Sequence, residues 1–377
     1  MRNTKTIIIG AGLAGLGCAK TLSDSGHDFI MISKNVGGRV KMSESRIVNY
    51  GAVWFFSHYK HIKRIIKLGP RIRRRGATFF KNGFQVNLFK VVLNNPIASI
   101  KMLYFCVYFY VKLHGLLRKS EKLSQKLIIE SDPYFKKLYY LSGNEFIKKN
   151  QLESIAILIN NVLWGVFGTK IEEQNAFLVL LASTTLTSSL YEFKIDFNYL
   201  ISDFKDCLFL GEVTRINKKS NTFLIHTKNG DNFQAQNVVV ATEPSVSQLL
   251  LNLKKVNTGR TVYVHHVTGQ ILDKYHNLPC SFSVGSSLLG ILNNTDGSFL
   301  IYSTTDKIAW KRYFENYSIV AKIKWEPMLN NIGGELLDNK YGENVWLAGD
   351  NNIPGMEYAY TTGICAANQI IDRENNK

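Results

Sequence analysis

The sequence predicts an α/β fold in which a Rossmann-type dinucleotide-binding domain is interleaved with a second domain of antiparallel sheet and helices. Three observations predict it. A β-branched strand near the start of the chain runs into glycines spaced as G-x-G-x-x-G. Segments typical of buried strands return near residues 205–245 and 344–350. Between them, β-branched and aromatic runs at about 260–325 indicate an antiparallel sheet. A chain of 377 residues is long enough for both domains.

The first strand, turn and helix form the dinucleotide-binding pattern. Residues 6–9 are predicted as a buried strand and residues 13–25 as a helix. Gly10 permits the tight turn, Gly12 lets the backbone approach a phosphate, and Gly15 lets the helix pack on the strand. The free N–H groups and the dipole of the helix N-terminus then favour a pyrophosphate.

The rest of the chain leaves this unit and returns to it twice. Residues 28–33 are predicted as the second strand, and residues 55–200 are mostly helical in pattern. A hairpin turn at Asn229 and Gly230 and a last helix from about Tyr358 follow. The predicted nucleotide domain covers 1–55, 205–250 and 340–377, and the second domain covers 56–204 and 251–339, with a helical part near 95–200.

The chain carries a formal net charge of +17, which suits nucleic acid, an anionic membrane surface or an anionic substrate. No helix-turn-helix, zinc-finger or RNP-like motif accompanies this charge, so nucleic acid is not expected. A solvated basic face also fits the pattern. The densest cluster contains Lys60, Lys63, Arg64, Lys67, Arg71, Arg73, Arg74 and Arg75.

The longest apolar run, residues 103–111, lies between Lys101 and Lys112. It is shorter than the ~20 residues that a spanning helix needs. A buried helix and a shallow membrane-docking helix, with its lysines on lipid phosphates, both fit. The five cysteines are dispersed without a C-x-x-C pair, and the chain starts directly in the nucleotide strand. We therefore expect no metal site and a cytoplasmic protein, with peripheral membrane attachment as the open alternative.

Four blocks, in order along the chain, resemble the flavin-containing amine oxidoreductase superfamily, which includes amine oxidases, protoporphyrinogen oxidase and carotenoid desaturases. The blocks are residues 10–15, residues 37–39 with 49–55, residues 213–216 with 238–244, and residues 347–350 with Glu357, Ala359 and Gly363. The resemblance implies that the cofactor is FAD and that the second domain binds the substrate.

The resemblance also assigns roles to single residues. Arg39 would lie beside the phosphates or the flavin, Val213 would meet the adenine, and Asp350 would accept a hydrogen bond from the ribityl chain. The N-terminus of the last helix, near Ala359, would face the flavin, where its dipole stabilises the negative charge of the reduced form. The expected cofactor-binding residues are Gly10, Gly12, Gly15, Ser33, Gly38, Arg39, Val213, Gly349, Asp350 and Ala359.

Three positions depart from the pattern of the superfamily. Ser33 stands where an acidic residue usually binds the adenine ribose, so its hydrogen bond lacks charge assistance. Tyr358 replaces a glycine beside the flavin, and it either shapes the substrate cavity or packs structurally. The strand at 261–267 lacks the expected lysine, and its His265 and His266 face opposite sides. Tyr358 and His265 are the candidate catalytic residues.

The expected function is that of an FAD-dependent oxidoreductase, in which a hydride from a C–H or C–N bond of a small molecule passes to flavin N5. The missing lysine disfavours a simple amine, whereas the apolar run and the basic charge favour a lipophilic or an anionic substrate. Two alternatives stay open. One is an FAD-dependent isomerase or mutase without net redox, and the other is a nucleotide-binding protein without catalysis.

Overall fold

The structure is a computed structural model that describes residues 1–376 except 44–47, 73–76, 82–83, 187, 254–257, 277, 279, 283–286 and 332–333. The strands are β1 (Arg2–Ala11), β2 (Phe29–Val36), β3 (Phe55–Phe56), β4 (Lys67–Ile72), β5 (Ala77–Lys81), β6 (Phe84–Val86), β7 (Leu190–Lys194), β8 (Leu208–Leu210), β9 (Val213–Lys219), β10 (Thr222–Thr227), β11 (Asn232–Val240), β12 (Val262–Ile271), β13 (Cys280–Phe282), β14 (Leu288–Asn293), β15 (Phe299–Ser303), β16 (Phe314–Trp325) and β17 (Val345–Leu347).

The helices are α1 (Leu13–Asp24), α2 (Ile62–Ile65), α3 (Leu88–Asn94), α4 (Pro96–Lys119), α5 (Gln125–Ser131), α6 (Pro133–Tyr140), α7 (Gly143–Lys149), α8 (Ala156–Phe167), α9 (Ala176–Ser183), α10 (Phe197–Leu200), α11 (Pro244–Leu251), α12 (Asp273–His276) and α13 (Met356–Asn375). Short 3₁₀ turns lie at Glu153–Ile155, Ile171–Glu173, Thr184–Leu186, Ser202–Cys207 and Trp310–Arg312.

The first sheet is the predicted dinucleotide-binding unit. Its strand order among the described residues is β8-β2-β1-β11-β10-β9, and β17 pairs with the end of β11. The strands from β8 to β11 and β17 run parallel, whereas β10 is antiparallel to both of its neighbours. Ile8 packs among side chains of α1 and α13, while Ile7 and Ile9 pack on the β9–β10 side. Three consecutive isoleucines suit β1 because a parallel strand is covered on both faces.

The second sheet confirms the antiparallel strands predicted between 260 and 325. Its order is β16-β12-β15-β14-β13-β5-β6, and only the pairing of β5 with β13 is parallel among its described strands. Residues 55–200 are mostly helical, as expected, but short strands that the sequence did not predict lie at both ends of that range. β5 and β6 extend the second sheet, and β3, β7 and β4 form a third. These strands form by pairing with distant segments, which local periodicity does not encode.

The helical part covers one side of the second sheet. The apolar run 103–111 is the middle of α4, a helix of 24 residues. Phe109 and Leu113 of α4 are fully buried in a core that also contains residues of α8, α9 and β12. By length and composition alone, α4 is the one helix among the described residues that could cross a membrane, and 33% of its most apolar window is buried.

Helices α1 and α13 cross at close range, and two glycines permit it. A Cβ on Gly363 would lie 1.9 Å from the carbonyl oxygen of Ala14, and one on Gly17 would lie 2.5 Å from that of Tyr360. Larger residues at either position would push the helices apart. The crossing pairs the first turn of α1 with the second turn of α13, since Ala14 meets Gly363 and Gly17 meets Tyr360.

Candidate functional site

A single cavity of about 660 Å³ connects the first sheet to the second. One end lies at the glycine turn, which we call the nucleotide end, and the other lies between β12, β14 and the helical part, which we call the apolar end. Every expected cofactor-binding residue except Gly15 lines this cavity, and Tyr358 lines it too. The structure thus brings together residues that the sequence separates by more than 300 positions.

The three glycines of the turn have different surroundings. Gly10 has a φ of +104°, and a Cβ there would lie 2.4 Å from the carbonyl oxygen of Ala241. A Cβ on Gly15 would lie 1.9 Å from the carbonyl oxygen of Gly10. A Cβ on Gly12 would meet only Gly38, at 3.9 Å, and would otherwise project into the cavity. Gly10 and Gly15 are therefore required by the fold, whereas Gly12 keeps the cavity open beside the backbone.

Helix α1 begins at the nucleotide end, and α13 begins farther along the cavity wall, beside Tyr59 and Tyr358. α1 starts directly after Gly12, and no acidic side chain occupies its first turn. α13 starts after Gly355, whose φ of +132° turns the chain into the helix. Residues at both helix starts line the cavity. The backbone N–H groups and the dipole of α1 make the nucleotide end favourable for anionic groups, whereas the first turn of α13 already contains Glu357.

Arg39 and Asp350 form an ion pair in the cavity wall. Arg39 also donates to the carbonyl oxygen of Met328 at 3.1 Å, and the side chain of Asn330 donates to Asp350 Oδ1 at 2.6 Å. The pair joins the segment after β2 to the segment after β17, so it fixes two of the predicted blocks against each other. Asp350 was expected to accept a hydrogen bond from the cofactor, and its carboxylate is already paired with Arg39.

The hydroxyl of Ser33 is engaged by the backbone. Its Oγ accepts from the N–H of Ala11 at 3.1 Å and donates to the carbonyl oxygen of Asn35 at 2.7 Å. The carbonyl of Ser33 accepts from the N–H of Gly211 at 2.9 Å, which places Glu212 beside it. Glu212 lines the cavity and pairs with Lys34 at 2.9 Å. Sequence reasoning missed this carboxylate, although it directly precedes Val213 in the third block.

Aromatic and aliphatic side chains build the apolar end. They include Phe56, Tyr59, Phe167, Leu181, Val262, Leu292, Tyr302, Trp325 and Tyr358. Tyr358 is buried, and its hydroxyl has no hydrogen-bond partner among the described residues. Burial, followed by the nearby Tyr59 and Glu357, raises the pKa of Tyr358 well above 10. The side chain is therefore buried and also part of the cavity wall, so it stays a neutral phenol that can donate a hydrogen bond.

His58 is a second polar group at the apolar end. It lines the cavity, and neither of its buried ring nitrogens has a hydrogen-bond partner among the described residues. Its ring contacts Tyr59 and, on α4, Tyr110 and His114. Burial lowers the pKa of His58 to about 4, with a further lowering by His114 and an opposing effect of Glu357. His58 is neutral at neutral pH, and no motif in the sequence marks it.

Glu357 anchors the segment that carries His58. Its carboxylate is fully buried and accepts from the backbone N–H groups of Lys60, His61 and Ile62 at 2.9 to 3.1 Å, and from the His61 ring at 2.8 Å. Burial would raise the pKa of Glu357, but the hydrogen bonds from His61 and Ile62 outweigh it, so the net pKa is lowered. The negative charge is thus held between the start of α13 and the start of α2.

His265 is not part of the site, so its assignment as a catalytic residue is corrected. The odd-numbered residues of β12 face away from the cavity, as strand alternation requires. His265 lies 3.3 Å from Asp306 and contacts the ring of Trp310 on that outer side. His266 faces inward but bonds to Tyr50 at 3.1 Å and Ser298 at 2.8 Å, and it does not line the cavity.

The basic cluster also lies apart from the cavity. Lys63, Arg64, Lys67 and Arg71 are exposed, and none of them lines the cavity wall. Residues 73–75 of the cluster lie outside the described residues. The cations that do line the cavity, Lys34, Arg39 and Lys324, are each paired with a carboxylate.

Comparisons with known proteins agree with this architecture. Residues 8–67 match the NAD(P)-binding Rossmann-like domain family. No curated protein matches the chain in sequence. Among solved structures, a double mutant of putrescine oxidase is 14% identical with a TM-score of 0.70, over 99% of this chain and 100% of that one. Cyclohexylamine oxidase from Brevibacterium oxydans IH-35A is 13% identical with a TM-score of 0.67, over 99% and 100% of the two chains.

A third solved structure extends the range of chemistries on this fold. A CLA-producing fatty acid isomerase from P. acnes is 15% identical with a TM-score of 0.64, over 98% of both chains. Together these likenesses confirm the α/β fold class with its Rossmann unit. They also show that the whole chain shares its fold with putrescine oxidase, cyclohexylamine oxidase and this fatty acid isomerase.

Proposed function

We propose that the protein is an FAD-dependent oxidoreductase acting on a lipophilic substrate that carries no positive charge at its reacting end. One observation carries the proposal: a single cavity joins a dinucleotide-binding turn to a chamber of aromatic and aliphatic side chains. Bound FAD would supply a hydride acceptor. The protein would supply binding, orientation and the exclusion of water.

The nucleotide end fits FAD at several points. The helix start of α1 favours the pyrophosphate, and Gly12 leaves room for backbone contact. Arg39 would hold a phosphate or the flavin while remaining paired with Asp350. Glu212 would accept hydrogen bonds from the adenine ribose, because the Ser33 hydroxyl already accepts from the N–H of Ala11 and donates to the carbonyl oxygen of Asn35.

The apolar end favours an uncharged lipophilic substrate over an amine cation. The acidic residues among the described lining residues are Glu212, Glu243, Glu326 and Asp350, and none of them belongs to the aromatic chamber. The Glu357 carboxylate acts on His58 and Tyr358 from behind this chamber, but it is already bonded to the His61 ring and to three backbone N–H groups. An ammonium group in the chamber would therefore have no free counter-charge, and burying an unpaired charge is costly. Tyr358 and His58 are neutral and would orient a carbonyl, hydroxyl or polar double bond by single hydrogen bonds.

Spectroscopy of the purified protein tests the proposal. We expect a yellow protein with flavin absorbance near ~450 nm that bleaches when a substrate is added without oxygen. A panel should pair lipophilic alcohols, carotenoid-like polyenes and porphyrinogens with diamines and cyclic amines as the contrasting set. Bleaching by the amines alone would contradict the substrate class. A colourless protein that takes up no added FAD would contradict the cofactor and favour a nucleotide-binding protein without catalysis.

A flavin-dependent isomerase is the second candidate. The apolar chamber would also accept a fatty acyl chain, and the fold is shared with a CLA-producing fatty acid isomerase. The same experiment separates the two functions by product analysis. Conversion of a polyunsaturated fatty acid to an isomer of equal mass, without consumption of oxygen or an acceptor dye, would replace the oxidoreductase assignment.

A further inference from the structure

The outer face of α3 and α4 is apolar and uncovered. Half of the exposed large apolar side chains among the described residues lie between Phe84 and Val111. Along α4 they recur every three or four residues, which aligns them in one stripe. We call this stripe and its α3 neighbours the apolar face; it consists of Phe89, Val92, Leu93, Ile97, Ile100, Leu103, Tyr104, Val107, Tyr108 and Val111.

The opposite side of α4 belongs to the core. Phe109 is 0% exposed and packs edge-on against Phe135 and Phe177, while Phe105 contacts Phe146. A helix that is hydrophobic all round is either enclosed by protein or in contact with lipid. Since one side of α4 is fixed to the core, the helix cannot span a bilayer with lipid on every side. It can lie on a bilayer with only its outer side inserted.

Positive charge surrounds the apolar face. Residues 45–120 contain fifteen lysines and arginines and no aspartate or glutamate. Lys90, Arg118 and Lys119 are exposed at the two ends of the face. Lys60 bonds Glu121 at 2.8 Å, just past the end of α4, so the basic segment 60–71 starts beside the same helix. A second copy of this chain would bring like charge against the face, whereas anionic lipid would neutralise it.

We propose that the apolar face docks onto the surface of an anionic lipid bilayer. Leu103, Val107 and Val111 would enter the boundary between headgroups and acyl chains, and Tyr104 and Tyr108 would lie at the headgroup level. The flanking lysines and arginines would meet lipid phosphates. Apolar insertion and basic attraction together give the two signals that stable peripheral binding needs. The proposal does not depend on the cofactor or on the reaction.

Vesicle flotation of the full chain tests the proposal. We expect the protein to float with phosphatidylcholine vesicles that contain about one third phosphatidylglycerol, and to float poorly with phosphatidylcholine alone. The combined variant Leu103→Ser, Val107→Ser, Val111→Ser should reduce the bound fraction about fivefold or more without lowering the thermal midpoint, because these side chains are exposed. Phe105 and Phe109 are unsuitable targets since they belong to the core.

A matched variant controls for exposed apolar area in general. Tyr199→Ser, Leu210→Ser, Leu249→Ser removes three exposed side chains on elements outside the apolar face and should float like the parent protein. Equal flotation of the parent and the α4 variant would overturn the proposal. So would an absence of flotation combined with a concentration-dependent dimer that the α4 variant abolishes, since the face would then be a contact between copies.

Discussion

The two ends of the cavity are built in different ways. The nucleotide end is built largely from backbone, a glycine turn and the start of α1, with the Arg39–Asp350 pair beside them. The apolar end consists of side chains from segments that are far apart in the chain, held over a sheet and a helical part. Backbone groups bind any chemically similar phosphate, whereas side chains select a particular substrate. The difference explains why the cofactor class is easier to infer than the substrate.

The electrostatics of the two ends differ as well. At the nucleotide end, each cation in the wall is balanced by a carboxylate, as Arg39 is by Asp350. At the apolar end the polar groups are neutral, because burial holds the pKa of His58 low and that of Tyr358 high. The nucleotide end therefore offers an anionic group the N–H groups of a helix start rather than an unpaired cation, and an end with neutral donors suits an apolar molecule.

Substitution of the turn glycines gives the largest expected effect and separates folding from binding. Gly15→Ala would place Cβ 1.9 Å from a backbone carbonyl and should cost more than about 4 kcal/mol, which prevents folding. Gly12→Ala, whose Cβ meets only Gly38, should fold normally but bind FAD at least about 100-fold more weakly. Thermal unfolding and an FAD titration by flavin fluorescence check this. Gly115→Ala, in open space on α4, is the control.

Removal of the buried charge of Glu357 should give the next largest effect. Glu357→Gln places an amide where three backbone N–H groups point and should cost about 3 kcal/mol in the free energy of unfolding. Glu121→Gln is the matched control, because Glu121 contacts Lys60 and His61 from the solvent side and should cost less than about 1 kcal/mol. Urea unfolding at pH 7 measures both. Similar losses for the two variants would show that burial of Glu357 does not matter.

The low pKa of His58 predicts that the folded protein loses stability in mild acid. Its folded pKa of about 4 lies below the unfolded value of 6.5, so the unfolded state binds the proton first as the pH falls. Between pH 7 and pH 5 this costs about 2 kcal/mol of stability. His58→Phe should reduce the loss over that range by the same amount, measured by urea unfolding at each pH. His276→Gln, at an exposed histidine, should leave the loss unchanged, and an unchanged loss in His58→Phe would contradict the assignment.

Glu212 should give the smallest effect, since it is partly exposed. Glu212→Gln keeps the shape but removes the charge that would assist hydrogen bonds to the ribose, so the Kd for FAD should rise about fivefold. Glu343→Gln, an exposed carboxylate beside β17 that pairs with Arg373, should not change the Kd. An unchanged Kd for FAD in Glu212→Gln would mean that the Glu212 carboxylate does not bind the ribose and that backbone groups alone do so.

The nucleotide end could be predicted from the sequence because its glycine turn depends only on residues that are close together in the chain. The spacing of Gly10, Gly12 and Gly15 reports backbone geometry within one turn, and residues 6–9 are buried as their pattern predicts. Sequence reasoning failed where position depends on distant partners. Strand alternation puts His265 and His266 on opposite sides of β12, but the sequence does not say which side faces the cavity, and the structure places His265 on the outer side. Glu212 lies beside Ser33 only because β8 pairs with β2. His58 and Glu357 carry no local signal at all.

The fold class, the turn that would hold a dinucleotide, and the apolar and basic character of the segment around α4 could all be inferred from the order of residues in the chain. Each of these follows from the spacing of residue types along a few turns of chain. The folded chain was needed to show which side chains face the cavity, which charges are balanced, and which side of α4 is left uncovered. These depend on strand pairing and helix crossing between segments hundreds of residues apart, such as Ala14 against Gly363. Contacts of that kind depend on tertiary packing, which the residues adjacent in the sequence do not specify.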